Sequence, residues 1–184
     1  MASELRVDRI APLNGIATVS QNKGGNAGGG VIQVRHSNTN QTYIANAESP
    51  ETNWMATGYI GEITPIRSDS KIFIIANPNV MIYQNSGNYS AGSIKIMRSI
   101  DSGAYTECSP ITIGSQVGNY DYGGTGLITY YNNCFTGFDE PNTTQSVSYQ
   151  IYMKRLHGTG IRLGYQLVAD IGSNGFITMM EVSG

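Results

Sequence analysis

Charge is what this chain has least of. Only 13 % of its 184 residues are Asp, Glu, Lys or Arg, roughly half the usual share of about 25 %. The 11 Lys and Arg set against 13 Asp and Glu leave a formal charge of -2. Nucleic-acid binders carry a strong basic excess, so that class is not expected. Low charge combined with 40 % hydrophobic residues excludes a charge-rich disordered protein. Cysteine is nearly absent. Cys108 and Cys134 are too few for a disulfide framework, and no CxxC spacing or nearby histidine suggests a metal. Both are expected as free, buried thiols, with a single bridge between strands as the open alternative. No apolar run approaches the ~20 residues that span a bilayer, so no membrane insertion is expected. The opening MASELRVDRIAP places charges where a signal peptide needs its apolar stretch.

Catalytic groups are scarce as well. The two histidines, His36 and His157, lie far apart in different surroundings. Asp139 and Glu140 are adjacent. On a strand they would face opposite ways, and in a turn before Pro141 they would be solvated, so neither case gives the spaced carboxylate pair of a glycosidase. Gly123-Gly124-Thr125-Gly126 leads into an apolar strand, whereas phosphate cradling needs a helix N-terminus after the glycines. No EF-hand spacing surrounds Asp121 or Asp139. Neither enzymatic activity nor a cofactor is expected. Asn40-Gln41-Thr42, Asn88-Tyr89-Ser90 and Asn142-Thr143-Thr144 fit the glycosylation sequon by chance, given no secretory signal.

What the chain does have is β character from residue 30 onward. Gly30 to His36 reads as a strand with Ile32 and Val34 on one face. Trp54 to Thr64 holds another, with Tyr59, Ile60 and Ile63. SKIFIIANPNVMIYQ is apolar on both faces, as a central strand covered on both sides would be. Its Asn77-Pro78-Asn79 step is a break, because proline cannot donate to a ladder. Ser93 to Arg98 alternates and Asp101-Ser102-Gly103 supplies turn chemistry. Val147, Tyr149, Ile151 and Met153 share one strand face, and Ile161, Leu163, Tyr165 and Leu167 another. Gly175 to Val182 is a closing strand. Seven to nine strands joined by Gly/Asn/Ser turns predict an antiparallel β-sandwich. Its expected core is Ile72, Ile74, Ile94, Ile96, Val147, Tyr149, Ile151, Leu163, Phe176 and Met180.

Residues 1–30 form a separate unit, an arm ahead of a head domain at 31–184. Gly24, Gly25, Gly28, Gly29 and Gly30 make a tether with broad backbone freedom. Ahead of it, the apolar Leu5, Val7 and Ile10 among the charged Arg6, Asp8 and Arg9 fall at alternate places and then break register, which suits either a docking peptide or a plain tail. Tyr120, Tyr122, Tyr130 and Tyr131 are denser than a core requires. Tyrosine brings area plus a hydroxyl, so these are candidates for receptor or subunit contact.

SELRVDRIAP, the Gly-rich spacer followed by VIQVRH, FDEPNTTQSVSYQIYMKR and the closing FITMMEVSG resemble small structural proteins of marine tailed phages, cyanophages especially. Such proteins are tail-fibre, head-fibre or capsid-decoration components on the virion surface, made in the host cytoplasm. The resemblance implies a jelly-roll-like head similar to tumour-necrosis-factor-like domains, often a homotrimer, with no catalytic residues. It implies that Leu5, Arg6, Val7, Asp8, Arg9 and Ile10 are the virion-attachment peptide at the end of an extended arm. Implied partners are further copies of the chain, other capsid or tail proteins, and host surface polysaccharide, but neither nucleic acid nor membrane. The absence of a heptad shaft or collagen repeat favours a short projection over a long fibre. A lectin-like, carbohydrate-binding role in host attachment is the alternative.

Overall fold

The computed structural model describes residues 30–39, 45–47, 53–84, 89–120, 127–157, 160–163 and 175–183. The attachment segment Leu5 to Ile10 lies outside them, as do Tyr122, Asp121, Tyr165 and Leu167. Among the described residues every regular element is a strand. In chain order these are β1 (Val31–Thr39), β2 (Ala45–Ala47), β3 (Met55–Ile63), β4 (Lys71–Asn77), β5 (Asn79–Gln84), β6 (Tyr89–Ile100) and β7 (Thr106–Glu107). They continue with β8 (Gly114–Tyr120), β9 (Leu127–Asn132), β10 (Phe135–Asp139), β11 (Val147–His157), β12 (Gly160–Leu163) and β13 (Gly175–Val182). All named pairings are antiparallel.

One sheet runs β1-β13-β4-β10 and another runs β3-β11-β6-β7, with β8 also on β6. A third, β2-β12-β5-β9, continues the first past a break. Pro78 alone separates β4 from β5, and Asn133 and Cys134 separate β9 from β10. The register carries across the gap, from Ala76 opposite Phe135 to Asn79 opposite Asn132. The missing proline N–H thus interrupts the ladder where the sequence predicts it. Pairing follows one rule: β1 with β13, β3 with β11, β4 and β5 with β10 and β9, and β6 with β7 and β8. The chain is a long hairpin folded over on itself, and its tip is the turn after β6. There Asp101 and Ser102 have φ of 49° and 60°, and Gly103 N–H donates to Ile100 O at 2.9 Å. Positive φ at both central positions gives the twist that matches paired strands.

The core lies between the sheets. Ile72, Ile74 and Ala76 of β4 with Ile177 and Met179 of β13 meet Tyr59, Ile94, Ile96 and the whole inner row of β11. Of the expected core, Ile72, Ile74, Ile94, Ile96, Val147, Tyr149 and Ile151 are all at most 1 % exposed. Leu163 sits on β12, outside the residues whose side chains are described. Phe176 and Met180 are a correction: they are half-buried on the outer face, while Ile177 and Met179 point inward. The inner face of β13 reads Gly175, Ile177, Met179, Glu181, so a glycine and a carboxylate bracket its two apolar residues. Gly175 is there because a Cβ would overlap the Tyr59 ring. Glu181 is there because it clamps a loop, as shown below. The outer face, Phe176, Thr178, Met180 and Val182, imitates a core face.

Three further expectations change, the last of them the burial of Cys134. Val34 is 53 % exposed on the outer face opposite Met180, Ile32 falls at a β-bulge between Val31 and Gln33, and Gln33 bonds the buried Glu181. The strand Ile72 to Ile75 is central as expected, yet only one face is covered fully: Phe73 and Ile75 remain half-buried. Both cysteines are free, Cys108 buried and Cys134 exposed; Cys134 lies in the short link between β9 and β10 rather than on a strand face.

Candidate functional site

Asp139 and Glu140 point apart, as expected for adjacent residues on a strand. Asp139 ends β10 with no exposed surface. Its Oδ1 accepts from Arg98 Nη1 and Ser109 N–H, both at 2.7 Å, and its Oδ2 from the Tyr149 hydroxyl at 2.8 Å. One carboxylate thus joins β10 to β6, to β11 and to the loop after β7. Burial, then the charge of Asp139, pushes the Tyr149 phenol far above its ordinary value. Burial likewise pushes the Cys108 thiol up to about 12, so it is a neutral core group, not a nucleophile. Glu140 pairs instead with Lys71 at 2.7 Å. His36 is exposed on β1, with Nδ1 2.8 Å from Thr178 Oγ1 and Nε2 2.7 Å from Asn38 Oδ1. His157, also exposed, ends β11. Among the described residues no group of three or more His, Cys, Asp or Glu could hold a metal ion, and no helix is long and apolar enough to cross a membrane.

Glu181 is the second buried carboxylate. Its oxygens accept from Gln33 Nε2 at 2.7 Å and from the backbone N–H of Ile66 and Arg67 at 2.8 and 3.1 Å. Burial alone would raise its pKa, but these donors outweigh that and hold the carboxyl below its usual range. The clamp fixes the β3–β4 loop onto β13 and β1.

The two outer faces of the sandwich differ in kind. On the β1-β13-β4-β10 sheet, the register places Val34 opposite Met180, Met180 opposite Phe73, and Phe73 opposite Phe138. Four apolar side chains therefore cross the entire sheet in one row. Val34 is 53 % and Phe138 45 % exposed, and the Phe73 and Phe138 rings lie 4.8 Å apart. Beside this row run His36, Thr178, Ile75 and Thr136. Lys71, at its margin, pairs with Glu140. The outer face of the other sheet is more polar: Ser148, Tyr152 and Lys154 of β11 lie beside Ser99, Lys95 and Ser93 of β6, although Met97 and Ile60 flank Gln150 in the row between.

An open cleft of about 490 Å³ lies on this polar side, lined by Trp54, Ser93, Lys95, Glu107, Thr112, Gly114, Ser115 and Gln116. Lys95 projects outward between the inward Ile94 and Ile96 of β6, and its Nζ lies 2.6 Å from Glu107 Oε1. The same ammonium stands 4.3 Å over the Trp54 ring. Thr112 Oγ1 donates to Glu107 Oε2 at 2.9 Å. Hydrogen bonds from Lys95 and Thr112 hold the Glu107 carboxyl below its usual range.

Of the four tyrosines, Tyr122 lies outside the described residues and the Tyr120 side chain outside the described side chains. Tyr130 and Tyr131 are successive on β9 and face opposite ways. Tyr130 is 40 % exposed, whereas Tyr131 packs against the core and donates to Gly118 O at 2.8 Å. Tyr120 ends β8, opposite Tyr89. Sequence reasoning missed the Trp54 cleft, although a lysine between two isoleucines and the chain's single tryptophan were its visible signals. No protein-family model matches the chain, and no curated protein matches it.

Proposed function

We propose that this chain is a non-enzymatic structural protein of a tailed-phage virion. It forms a homotrimeric short projection, a head fibre, decoration protein or tail-fibre tip, anchored by the arm at residues 1–30. The head at 31–184 is read as a jelly roll of the tumour-necrosis-factor-like outline. The observation that carries the reading is the strand order. With β4/β5, β7/β8, β9/β10 and β12/β13 counted as interrupted single strands and β2 as an extension of β1, first pairs with last and each next strand with the next from the end. A folded hairpin of eight strands is the plan of jelly rolls, which recur in capsid and lectin domains. The resemblance of SELRVDRIAP and FITMMEVSG to phage proteins selects the virion setting.

The apolar row from Val34 to Phe138 supports assembly. It is a contiguous patch that a lone copy leaves in water. Lys71 at its margin is paired with Glu140, which reduces like-charge repulsion between identical copies. The buried polar groups support a structural role: Asp139, Arg98, Tyr149 and Glu181 all bind other strands or loops of the same chain. Immunogold labelling of phage particles, with antibody raised against residues 31–184, tests the reading. Label on capsid or tail is the expected result, and label absent from particles overturns it.

A further inference from the structure

We propose that the cleft on the polar face binds a neutral saccharide, whose vicinal hydroxyls bridge Lys95 and Glu107 while Trp54 covers a C–H face of the sugar. This goes beyond the virion reading and does not depend on it. The site also differs from the tyrosines that the sequence offers for receptor contact.

Size is the first argument. A cleft of about 490 Å³ falls within the roughly 300–1,000 Å³ of small-molecule sites, enough for one or two sugar rings. Charge is the second. Lys95 and Glu107 cancel, so an anion would meet Glu107 and a cation Lys95, each with repulsion. A purely apolar ligand would strip water from both charges and return no hydrogen bond. A hydroxyl both donates and accepts. One hydroxyl can accept from the Lys95 ammonium, which has three protons, while its neighbour donates to Glu107, whose oxygens offer about four acceptor sites in all. Such charge-assisted bonds are stronger than neutral ones.

Preorganisation is the third argument. The Lys95 side chain is only 8 % exposed, against 54 % for Glu107. Its ammonium is already fixed by the Trp54 ring and by Glu107, so little side-chain freedom is left to lose on binding. The residue opposite Lys95 on β8 is Gly114, where a Cβ would come within 2.5 Å of the Ile94 carbonyl oxygen. The neighbour that close strand approach demands is therefore also one with no side chain to cover Lys95. Ser93 and Gln116, themselves opposite one another, add a hydroxyl and an amide at the border. Trp54 supplies the one large aromatic surface of the lining; Lys95 stands over one face of its ring, so the apolar C–H face of a sugar would pack on the other.

Trp54 is the chain's only tryptophan, so its fluorescence reports on this cleft alone. The test titrates the full-length protein with maltose, lactose, mannobiose and diacetylchitobiose, following Trp54 emission and, independently, the heat of binding. The expected result is saturable binding of at least one disaccharide in the millimolar range. Glu107→Gln should weaken it about tenfold, the scale of one charged hydrogen bond. Glu62→Gln, in the separate polar cleft beside Ser99 and Ser148, should leave it unchanged. Neither heat nor emission change with any of the four sugars overturns the proposal, as does equal affinity in Glu107→Gln with its strand spectrum intact. Absence of the protein from particles would remove the virion reading and leave this titration unaffected.

Discussion

Two carboxylates show how single residues hold this sandwich closed. Asp139 and Glu181 have no exposed surface, yet each accepts bonds only from donors. A buried charge is tolerable when its lone pairs are filled in this way. Glu181→Gln keeps the shape but turns an amide N–H₂ toward a group that itself donates, from Gln33 or from the Ile66 and Arg67 backbone. The variant should lose about 1–3 kcal/mol at neutral pH, measured by urea unfolding. The folded-state pKa of Glu181 lies below its unfolded value, so its contribution is present above the unfolded pKa and fades as pH falls through the folded one. The gap between wild type and variant should therefore close in acid. A gap that persists unchanged at low pH would show that the charge is not what the clamp uses. In the apolar core, Ile74→Ala should cost about 2–5 kcal/mol. Phe138→Ala, at the half-exposed end of the outer row, should cost a lone subunit far less.

At the level of elements, legibility in the sequence depended on how purely a strand segregates its faces. In β11, Val147, Tyr149, Ile151 and Met153 all point inward and alternate with polar residues, so period and phase were both plain. In β13 the period was plain and the phase was not, because Gly175 and Glu181 made the true inner face look like a solvent face. The strand β1 misled in the same direction: Val34 faces outward, while Gln33 reaches in to Glu181. Turns at Pro78 and at Asp101-Ser102 were legible because their backbone chemistry is local. The Trp54 cleft was not, since its lining comes from the approach to β3, from β6, β7 and β8, and from the link between the last two. Only strand pairing brings those segments together. The errors in β1 and β13 have one cause, namely that the outer face of this sheet is apolar. That cause yields a prediction at the same scale. Phe138→Asp puts a charge at the end of the row and should shift light scattering from three times 19.8 kDa toward a single chain. Lys154→Glu on the polar face should not. A wild-type protein that scatters as one copy at micromolar concentration would contradict assembly through the row.

Across the whole molecule, the apolar and polar faces separate assembly from recognition, and the arm separates both from attachment. The apolar sheet carries the Val34–Phe138 row, which copies of the chain cover under the proposed assembly. The polar sheet carries the Trp54 cleft, which assembly through the opposite face leaves open. The arm precedes β1, so its removal leaves every described strand whole. Leu5, Val7 and Ile10 are apolar among the charged Arg6, Asp8 and Arg9, the layout of a short peptide that adds to a partner's sheet edge or groove, with backbone pairing for affinity and alternate side chains for specificity. Docking a peptide on a glycine tether carries an ordering cost, and several arms on one assembly offset that cost through effective concentration. Deleting residues 1–23 should therefore leave the melting temperature and scattering mass nearly unchanged while abolishing incorporation into particles. The glycines that remain, Gly24 to Gly30, are a spacer with nothing to hold. Normal incorporation of the truncated protein would place attachment on the head instead. The outer edges of the sheets would then have to supply what the alternating arm was expected to give.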